Sequence, residues 1–273
     1  MKIITLNENR AEKTKDGLMA EFGLSILIEM DEYKVLFDTG QKISAVHNAG
    51  ILGVDLSDID RIVLSHGHFD HTGGLKSVLE QTGEVEVIAH PEVFSEKYAT
   101  KRKTKSIGIP YSKEMLEDLG AIFKLTENPT KIGNATVTGQ IERTNDFEQI
   151  DKNLYVQKGE DLCHDEVLDD QGIVLKTDDG LFVVLGCSHR GMINTIEQAK
   201  KITGEDRIYG VLGGTHLISA DTVQLEKTIQ ALRNYDIQKI GVSHCTGILA
   251  EAKLSTEFGD RFFLNTAGSS IEF

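Results

Sequence analysis

One pattern in the second half of the chain constrains the fold more than any other. An apolar run ends in small residues and a histidine, and a stretch with helical spacing follows. The pattern occurs at 181–185 before His189, at 208–212 before His216 and at 237–242 before His244. Short apolar runs that alternate with helical stretches are typical of parallel strands in an α/β sheet. Since ligands gather beyond the carboxyl ends of such strands, the three histidines are expected to share a site.

The rest of the chain fits the same α/β class, with more strands in its first third. Strands are predicted at 2–6, 24–30, 33–37, 60–64 and 85–89, and helices at 41–49, 75–80, 194–202, 222–235 and 248–258. Gly50 is expected to end the helix at 41–49. Three prolines in 273 residues leave little material for a rigid linker. We therefore predict a single domain over 1–273.

The segment from His66 to His71 is the strongest chemical signal in the sequence. A strand pattern runs into His-Gly-His-Phe-Asp-His, and a helix pattern follows it. His66 and His68 can grip one ion, whereas Asp70 and His71 lie where the backbone turns into a helix and point elsewhere. Four ligands on one zinc ion would make a closed structural site, which the adjacent ligands at 70 and 71 would strain. Two ions roughly 3.5–4 Å apart fit better, and imidazole with carboxylate suits Zn, Fe or Mn.

Further ligands are expected from the histidines at the later strand ends. His189 and His244 are the first choices and His216 comes after them. The remaining histidines, which carry no such context, are predicted to be structural or surface residues: His47, His90 and His164. Asp38 follows the strand at 33–37, where it would serve either turn chemistry with Gly40 or the orientation of a ligating histidine.

Composition limits the partners. Lys and Arg number 29 against 43 Asp and Glu, for a formal net charge of −14. That charge disfavours a broad surface for nucleic acid or anionic lipid. Apolar runs fall short of the roughly 18 residues of a membrane span, and the N-terminus reads as a strand rather than a signal peptide. With three widely spaced cysteines and no CxxC, a reducing cytoplasm is the predicted location.

The segment at 96–118 has a looser pattern and resembles an insertion or lid. It carries the basic run of an acidic chain, namely Lys97, Lys101, Arg102, Lys103 and Lys105. Two interpretations stay open here: a solvated loop face, or a lid that steers an anionic substrate.

Several motifs of the chain occur together in one family. They are Leu-Phe-Asp-Thr-Gly at 36–40, Ser-His-Gly-His-Phe-Asp-His-Thr-Gly-Gly at 65–74, and the histidines at 189 and 244. With them the chain resembles the metallo-β-lactamase fold superfamily over nearly its whole length. Further motifs resemble one subgroup, the dihydropteroate-synthase-like or methyl-4-(β-D-ribofuranosylamino)benzene 5′-phosphate synthase-like proteins. These are Gly-Leu-Ser at 23–25, Gly-Cys-Ser-His-Arg-Gly at 186–191, Gly-Gly-Thr-His-Leu at 213–217 and Ser-His-Cys-Thr-Gly at 243–247.

The resemblance implies a four-layer αββα sandwich with two divalent metal ions, zinc in the first place and iron or manganese as alternatives. It implies His66, His68 and His189 on one ion, and Asp70, His71 and His244 on the other.

The chain departs from the family pattern at two places. Many members have a metal-bridging Asp where this chain has Gly-Cys-Ser-His, so Cys187 or the acidic run at 165–170 is expected to complete the second ion's shell. Relatives often carry a histidine where this chain has Phe22.

The leading functional prediction is a dinuclear hydrolase that attacks a small anionic or phosphorylated substrate with a metal-activated water. Asp70 is a candidate to orient the water, and His216 to protonate the leaving group or contact an oxyanion. The alternatives are a di-iron oxidoreductase, against which His68 argues because those relatives carry Glu there, and a pterin-related ribosyl-phosphate synthase. Nucleic-acid processing, a secreted lactamase and a non-catalytic metal sensor rank lower.

Overall fold

A computed structural model describes residues 1–100 and 103–273. Within them the chain divides into two compact units. Unit 1 contains Met1–Glu127, Lys152–Asp169 and Thr266–Phe273, and unit 2 contains Asn128–Asp151 and Asp170–Asn265. Each unit buries a hydrophobic cluster of its own. The single domain predicted over 1–273 stays a prediction.

A seven-stranded sheet forms the centre of unit 1. Its strands are β1 (Lys2–Asn7), β2 (Ser25–Glu29), β3 (Lys34–Phe37), β4 (Arg61–Val63), β5 (Val85–Ala89), β8 (Ala121–Leu125) and β18 (Ser270–Glu272). Their order is β18-β1-β2-β3-β4-β5-β8, antiparallel up to β3 and parallel from β3 onward. The parallel part places the residues that follow β3, β4 and β5 at one edge of the sheet.

Unit 1 also contains a four-stranded sheet. It consists of β6 (Lys97–Ala99), β7 (Lys105–Ser106), β11 (Leu154–Lys158) and β12 (Asp161–His164), in the order β12-β11-β6-β7. The segment at 96–118 therefore supplies two strands to a sheet, and a helix follows them. Lys101 and Arg102 lie outside the described residues, and the role of the segment as a lid stays a prediction.

The helices of unit 1 are α1 (Ser44–Leu52), α2 (Phe69–Thr72), α3 (Leu75–Thr82) and α4 (Lys113–Asp118). Leu75, Val78 and Leu79 of α3 are buried in a cluster with Leu36 and Ile62 of the sheet. Repeats of three and four residues place such side chains on one helix face.

The predicted bounds of α1 were wrong at both ends. The helix begins at Ser44 because the backbone N–H groups of residues 42–44 donate to the Glu21 carboxylate instead of continuing a helix toward Gln41. It passes through Gly50 and ends at Gly53, whose φ of 70° is the left-handed conformation that closes a helix.

Unit 2 is built on a second seven-stranded sheet. Its strands are β9 (Thr130–Ile132), β10 (Ala135–Val137), β13 (Gly172–Thr177), β14 (Gly180–Leu185), β15 (Ile208–Gly214), β16 (Lys239–Ser243) and β17 (Phe262–Leu264). The order is β17-β16-β15-β14-β13-β10-β9, and β14 to β17 are parallel. The three strands predicted from the histidine pattern are thus parallel neighbours.

Three helices follow the parallel strands of unit 2, as the pattern predicts. They are α5 (Met192–Thr203), α6 (Thr222–Asn234) and α7 (Ile248–Phe258). Their apolar faces join the sheet in one buried cluster, to which Ile196, Leu232 and Leu254 each contribute a fully buried side chain. Across the two described ranges of the chain, every helix is too short or too polar to cross a membrane.

Candidate metal centre

Unit 1 gathers four of the predicted donors within six residues: His66 and His68 lie in the loop after β4, and Asp70 and His71 lie on the short helix α2. His66, His68, Asp70 and His71 are all buried. The ring centroid of His66 lies 4.5 Å from that of His68 and 4.3 Å from that of His71. A carboxylate oxygen of Asp70 lies 3.9 Å from Nε2 of His71. Three imidazoles and a carboxylate therefore lie within one compact, buried group.

Backbone contacts fix the shape of this loop. The Gly67 N–H donates to the Asp169 carboxylate at 2.7 Å, and a Cβ at Gly67 would lie 2.2 Å from the carbonyl oxygen of Val93. The Phe69 N–H donates to the carbonyl of Ile107, beside an isolated bridge that pairs His68 with Gly108. Glycine is therefore required between the two histidines because the chain passes so close to another backbone.

Asp38 orients one of the predicted ligands. Its Oδ2 accepts from Nδ1 of His71 at 2.6 Å and from Oγ of Ser65 at 2.7 Å, and its Oδ1 accepts from the Ser65 N–H. The sequence left two roles open for Asp38, namely turn chemistry with Gly40 and the orientation of a ligating histidine. The hydrogen bond from His71 to Asp38 is the contact that the second role requires. An Nδ1–H donated to a carboxylate leaves Nε2 as the ring's ligating atom.

Lys97, part of the predicted basic run, does not face solvent. Its Nζ lies 2.9 Å from Asp169 and 3.1 Å from Asp165, and its side chain is about 2% exposed. Burial acts to lower the pKa of Lys97, but the two carboxylates outweigh it and raise that pKa above its ordinary value. Since Asp169 also accepts from Gly67, this buried ion pair supports the loop that carries His66 and His68.

Burial also sets the protonation of His68. It lowers the pKa of His68 to about 3, with a further contribution from the charge of Lys97. The imidazole is therefore neutral at physiological pH, which is the form that binds a metal ion.

Unit 2 brings its predicted histidines to the ends of neighbouring strands. His189 follows β14, His216 follows β15 and His244 follows β16. The ring centroids of His189 and His216 lie 4.2 Å apart. Donor atoms of Cys187, His189 and His216 lie within 4.8 Å of one another, and so do those of Cys187, His244 and Cys245. The histidines that the sequence pattern predicted to share a site are close together.

Cys245 is a member of this group that the sequence analysis missed. It is a buried free thiol, and its Sγ accepts the backbone N–H of His216 at 3.2 Å. Burial raises the pKa of Cys245, but its contacts with Cys187 and His216 and the nearby His244 lower it well below that of an ordinary thiol. Burial likewise acts to lower the pKa of His216, yet Cys245 and nearby acidic residues raise it. The signal in the sequence was the position of Cys245, directly after a strand-end histidine.

Backbone strain concentrates beside the candidate donors. Six described residues other than glycine have a positive φ, and four of them lie at or beside the candidate donors: Asp38 (59°), Ser188 (56°), His216 (48°) and His244 (54°). The other two are Val167 and Asp236. Such conformations cost about 1–3 kcal/mol each and persist where the surrounding structure imposes them, often at functional sites. The four strained residues at or beside the donors therefore lie at the ends of β3, β14, β15 and β16, and the last three of these strands are followed by the candidate donors of unit 2.

The three histidines predicted to be structural belong to none of the donor groups found among the described residues. His47 contacts the carbonyl of Gly17, and His90 accepts the Glu92 N–H at the start of a short 3-10 helix. His164 lies on β12 with its ring partly exposed.

Comparison with known proteins identifies the family. A profile described as the metallo-β-lactamase superfamily matches residues 18–123. The 7,8-dihydropterin-6-methyl-4-(β-D-ribofuranosyl)-aminobenzene-5′-phosphate synthase of Methanocaldococcus jannaschii is 34% identical over 285 aligned positions, which cover 100% of this chain and 97% of that protein. The chain belongs to the metallo-β-lactamase superfamily.

The chain is also similar to two further proteins. An uncharacterized protein of Methanocaldococcus jannaschii is 36% identical over 242 positions, covering 86% of this chain and 88% of its own. A crystal structure described as a metal-dependent hydrolase of the β-lactamase superfamily is 28% identical, with a TM-score of 0.87 over 100% of this chain and 99% of that one. The predicted fold class and family are confirmed.

Membership of the metallo-β-lactamase superfamily implies divalent metal ions, and the residues present fit them. Unit 1 offers three imidazoles and a carboxylate, and unit 2 offers three imidazoles and two thiols, all at buried or nearly buried positions. Imidazole, carboxylate and thiolate are the ligands that zinc takes in proteins. The thiols of Cys187 and Cys245 add a third kind of donor to the imidazoles and the carboxylate that the sequence predicts.

Proposed function

We propose that this chain is a metal-dependent hydrolase with two divalent ions per chain. His66, His68 and His189 hold one ion, and Asp70, His71 and His244 hold the other. The observation that carries the proposal is the contact between Asp38 and His71 within unit 1. A buried carboxylate that fixes a histidine tautomer is the support that ligating histidines ordinarily have.

Bound divalent ions supply Lewis-acid chemistry, which polarises an oxygen of the substrate or of water and lowers the pKa of the water. The residues of the chain position the reactants and handle protons. Asp70 is proposed to accept a hydrogen bond from the attacking water, and His216 to donate a proton to the leaving group or a hydrogen bond to an oxyanion. The raised pKa of His216 favours its protonated, donating form.

The substrate is proposed to be a small anion. Of the described residues in the basic run, Lys103 and Lys105 are exposed. Lys97 is buried and forms ion pairs with Asp165 and Asp169. The attraction for an anion therefore rests on fewer lysines than the sequence alone indicates. With a net charge of −14 on the whole chain, a small anion is favoured over a polyanion.

A second function is supported by the relative that covers the whole chain. Its name describes a product in which a dihydropterin 6-methyl group is joined to a ribofuranosyl-aminobenzene 5′-phosphate. A synthase of this kind would use the same donors to bind a phosphorylated substrate. It joins two molecules where the hydrolase splits one, so the two functions differ in what they consume.

One assay separates the two functions. The zinc-loaded protein is given phosphomonoester, phosphodiester, thioester and lactone substrates. In parallel it is given a 7,8-dihydropterin with a leaving group on its 6-methylene, together with ribofuranosyl-aminobenzene 5′-phosphate. Hydrolysis of one of the first set supports the hydrolase, and a coupled product found by mass spectrometry supports the synthase.

Single substitutions test whether the hydrolase or the synthase activity depends on the proposed metal ligands. His66→Ala is expected to abolish turnover, and His164→Ala, which changes a partly exposed histidine on β12, is expected to retain it. Equal losses in both variants would refute the ligand assignment.

A further inference from the structure

Unit 1 presents two aromatic rings and a lysine beside the segment that carries His66, His68, Asp70 and His71. Phe22 is 52% exposed, and its ring centroid lies 6.4 Å from that of Phe69 with the ring planes tilted by 33°. Nζ of Lys105 lies 4.9 Å from the centroid of the Phe69 ring. Phe69 stands in the sequence between His68 and Asp70, so this group adjoins two of the proposed metal ligands.

Backbone contacts hold together the two chain segments that carry these rings. The Leu24 N–H donates to the carbonyl of Asp70, and a Cβ at Gly23 would lie only 2.1 Å from that oxygen. The Gly23 N–H donates to Oδ1 of Asn9 at 3.0 Å. The residue after Phe22 is therefore packed directly against the turn that carries Phe69. An exposed aromatic side chain on such a fixed backbone loses little conformational entropy when a ligand binds.

We infer that Phe22, Phe69 and Lys105 form a subsite for the aromatic ring of an anionic small molecule. The ring stacks on the exposed phenyl surface, and the Lys105 ammonium pairs with a carboxylate or phosphate that the ring carries. The inference rests on the proposed function, because it names the substrate class of the same site. Stacking on aromatic side chains and a nearby cation are the two features that bind a planar anionic ring.

The described residues contain three other lysine–aromatic pairs. In one of them the ring under Lys200 is Tyr235, whose hydroxyl donates to Glu197. Phe123, under Lys113, packs edge-on against Phe94 at 5.1 Å beside the core of unit 1. Phe147, under Lys227, packs against the core of unit 2. These three rings have structural contacts. The ring under Lys105 is Phe69, and it differs from them in packing against Phe22, which is 52% exposed. Exposed aromatic surface next to candidate ligands is typical of a binding site.

Binding can be measured without turnover. The chain has no tryptophan, so the fluorescence of a pterin probe can be followed with little protein background. Pterin-6-carboxylate is titrated with the zinc-loaded protein, and uncharged pterin serves as the second probe. Phe22→Leu and Phe69→Leu are expected to weaken binding of both probes about tenfold, the order of one lost stacking contact. Lys105→Gln is expected to weaken only the carboxylate probe, and Lys227→Gln is the matched control that leaves both unchanged.

Unchanged affinity of both probes in Phe22→Leu and Lys105→Gln would overturn the inference. Metal content and circular dichroism of each variant must match the wild type, which matters most for Phe69→Leu because of its neighbours His68 and Asp70. Failure of the proposed function has a different signature. In that case the wild-type protein binds the probes through Phe22 and Lys105 but turns over none of the hydrolase or synthase substrates.

Discussion

At the scale of single residues, Asp38 has a strained backbone conformation and also accepts a hydrogen bond from the proposed metal ligand His71. Its φ of 59° turns the chain directly after β3, and its carboxylate reaches His71, which lies 33 positions further along the sequence. The strained conformation places one carboxylate where Ser65 and His71 both donate to it. This is the kind of arrangement in which a costly backbone angle is retained for a function.

Asp38→Asn tests that connection with little change in shape. Asn tolerates a positive φ as Asp does, but its amide presents a donor and one fewer acceptor to Ser65 and His71. We expect zinc affinity to fall about 10- to 100-fold, as is usual for loss of a residue that orients a ligand. Competition with a chromophoric chelator measures the affinity. An unchanged affinity in a folded variant would contradict the orienting role.

Lys97→Met tests the buried ion pair of unit 1. The variant leaves Asp165 and Asp169 buried without their partner, so the free energy of unfolding is expected to drop by about 3–5 kcal/mol at pH 7. Urea denaturation measures the change, and Lys131→Met, at an exposed position of β9, is the control. A loss below about 1 kcal/mol would mean that the pair contributes no more than a surface ion pair does.

The pH dependence of this difference has a defined sign. The pKa of Lys97 is raised in the folded protein, so its contribution to stability is fully present below the unfolded lysine pKa of about 10.4. It is lost as the pH rises through the folded pKa. The gap between wild type and Lys97→Met is therefore expected to stay constant from pH 7 to about pH 10 and to narrow above it.

At the scale of elements, strand ends explain why much of the candidate site was predictable. A strand followed by His and then a helix is a local pattern, and β14, β15 and β16 lie side by side in parallel, as this pattern requires. The partners of Lys97 were not predictable, because Asp169 lies 72 positions away and only tertiary packing brings them together. Cys245 was missed for a different reason, since a single cysteine without CxxC spacing carries no metal signal by itself.

Helix α1 shows where local pattern fails. Gly50 and Gly53 lie three positions apart, and either glycine could adopt the left-handed conformation that ends a helix. The sequence alone does not distinguish them. The structure gives a φ of 70° to Gly53, whereas Gly50 stays within the helix. At its other end, Glu21 takes the first N–H groups, which a prediction from residues 41–49 alone does not include.

Two alanine variants test the assignment of α1. A Cβ added at Gly50 or Gly53 meets no atom within 4 Å, so the two sites differ mainly in backbone conformation. Gly50→Ala is expected to stabilise the protein by about 0.5–1 kcal/mol, because alanine favours the helix interior. Gly53→Ala is expected to destabilise it by about 1 kcal/mol, because φ is positive there. Equal effects of the two variants, measured by thermal unfolding, would contradict the assigned end of the helix.

At the scale of the whole molecule, two units with separate cores each carry buried donors at the ends of parallel strands. Unit 1 supplies His66 and His68 from the loop after β4 and Asp70 and His71 from α2, while unit 2 supplies its donors from separate strand ends. Buried imidazoles, carboxylates and thiols are costly to a fold unless they are paired or bind an ion. Metal binding by the native state is therefore expected to stabilise the protein, with a melting temperature that rises with zinc concentration.

We propose two divalent ions per chain, and elemental analysis of protein purified without chelator tests this number most directly. The expected content is about two ions per chain. His66→Ala is expected to lower it, whereas His164→Ala leaves it unchanged. A content of zero or one ion per chain in the folded wild-type protein, or an equal loss in both variants, would contradict the dinuclear assignment.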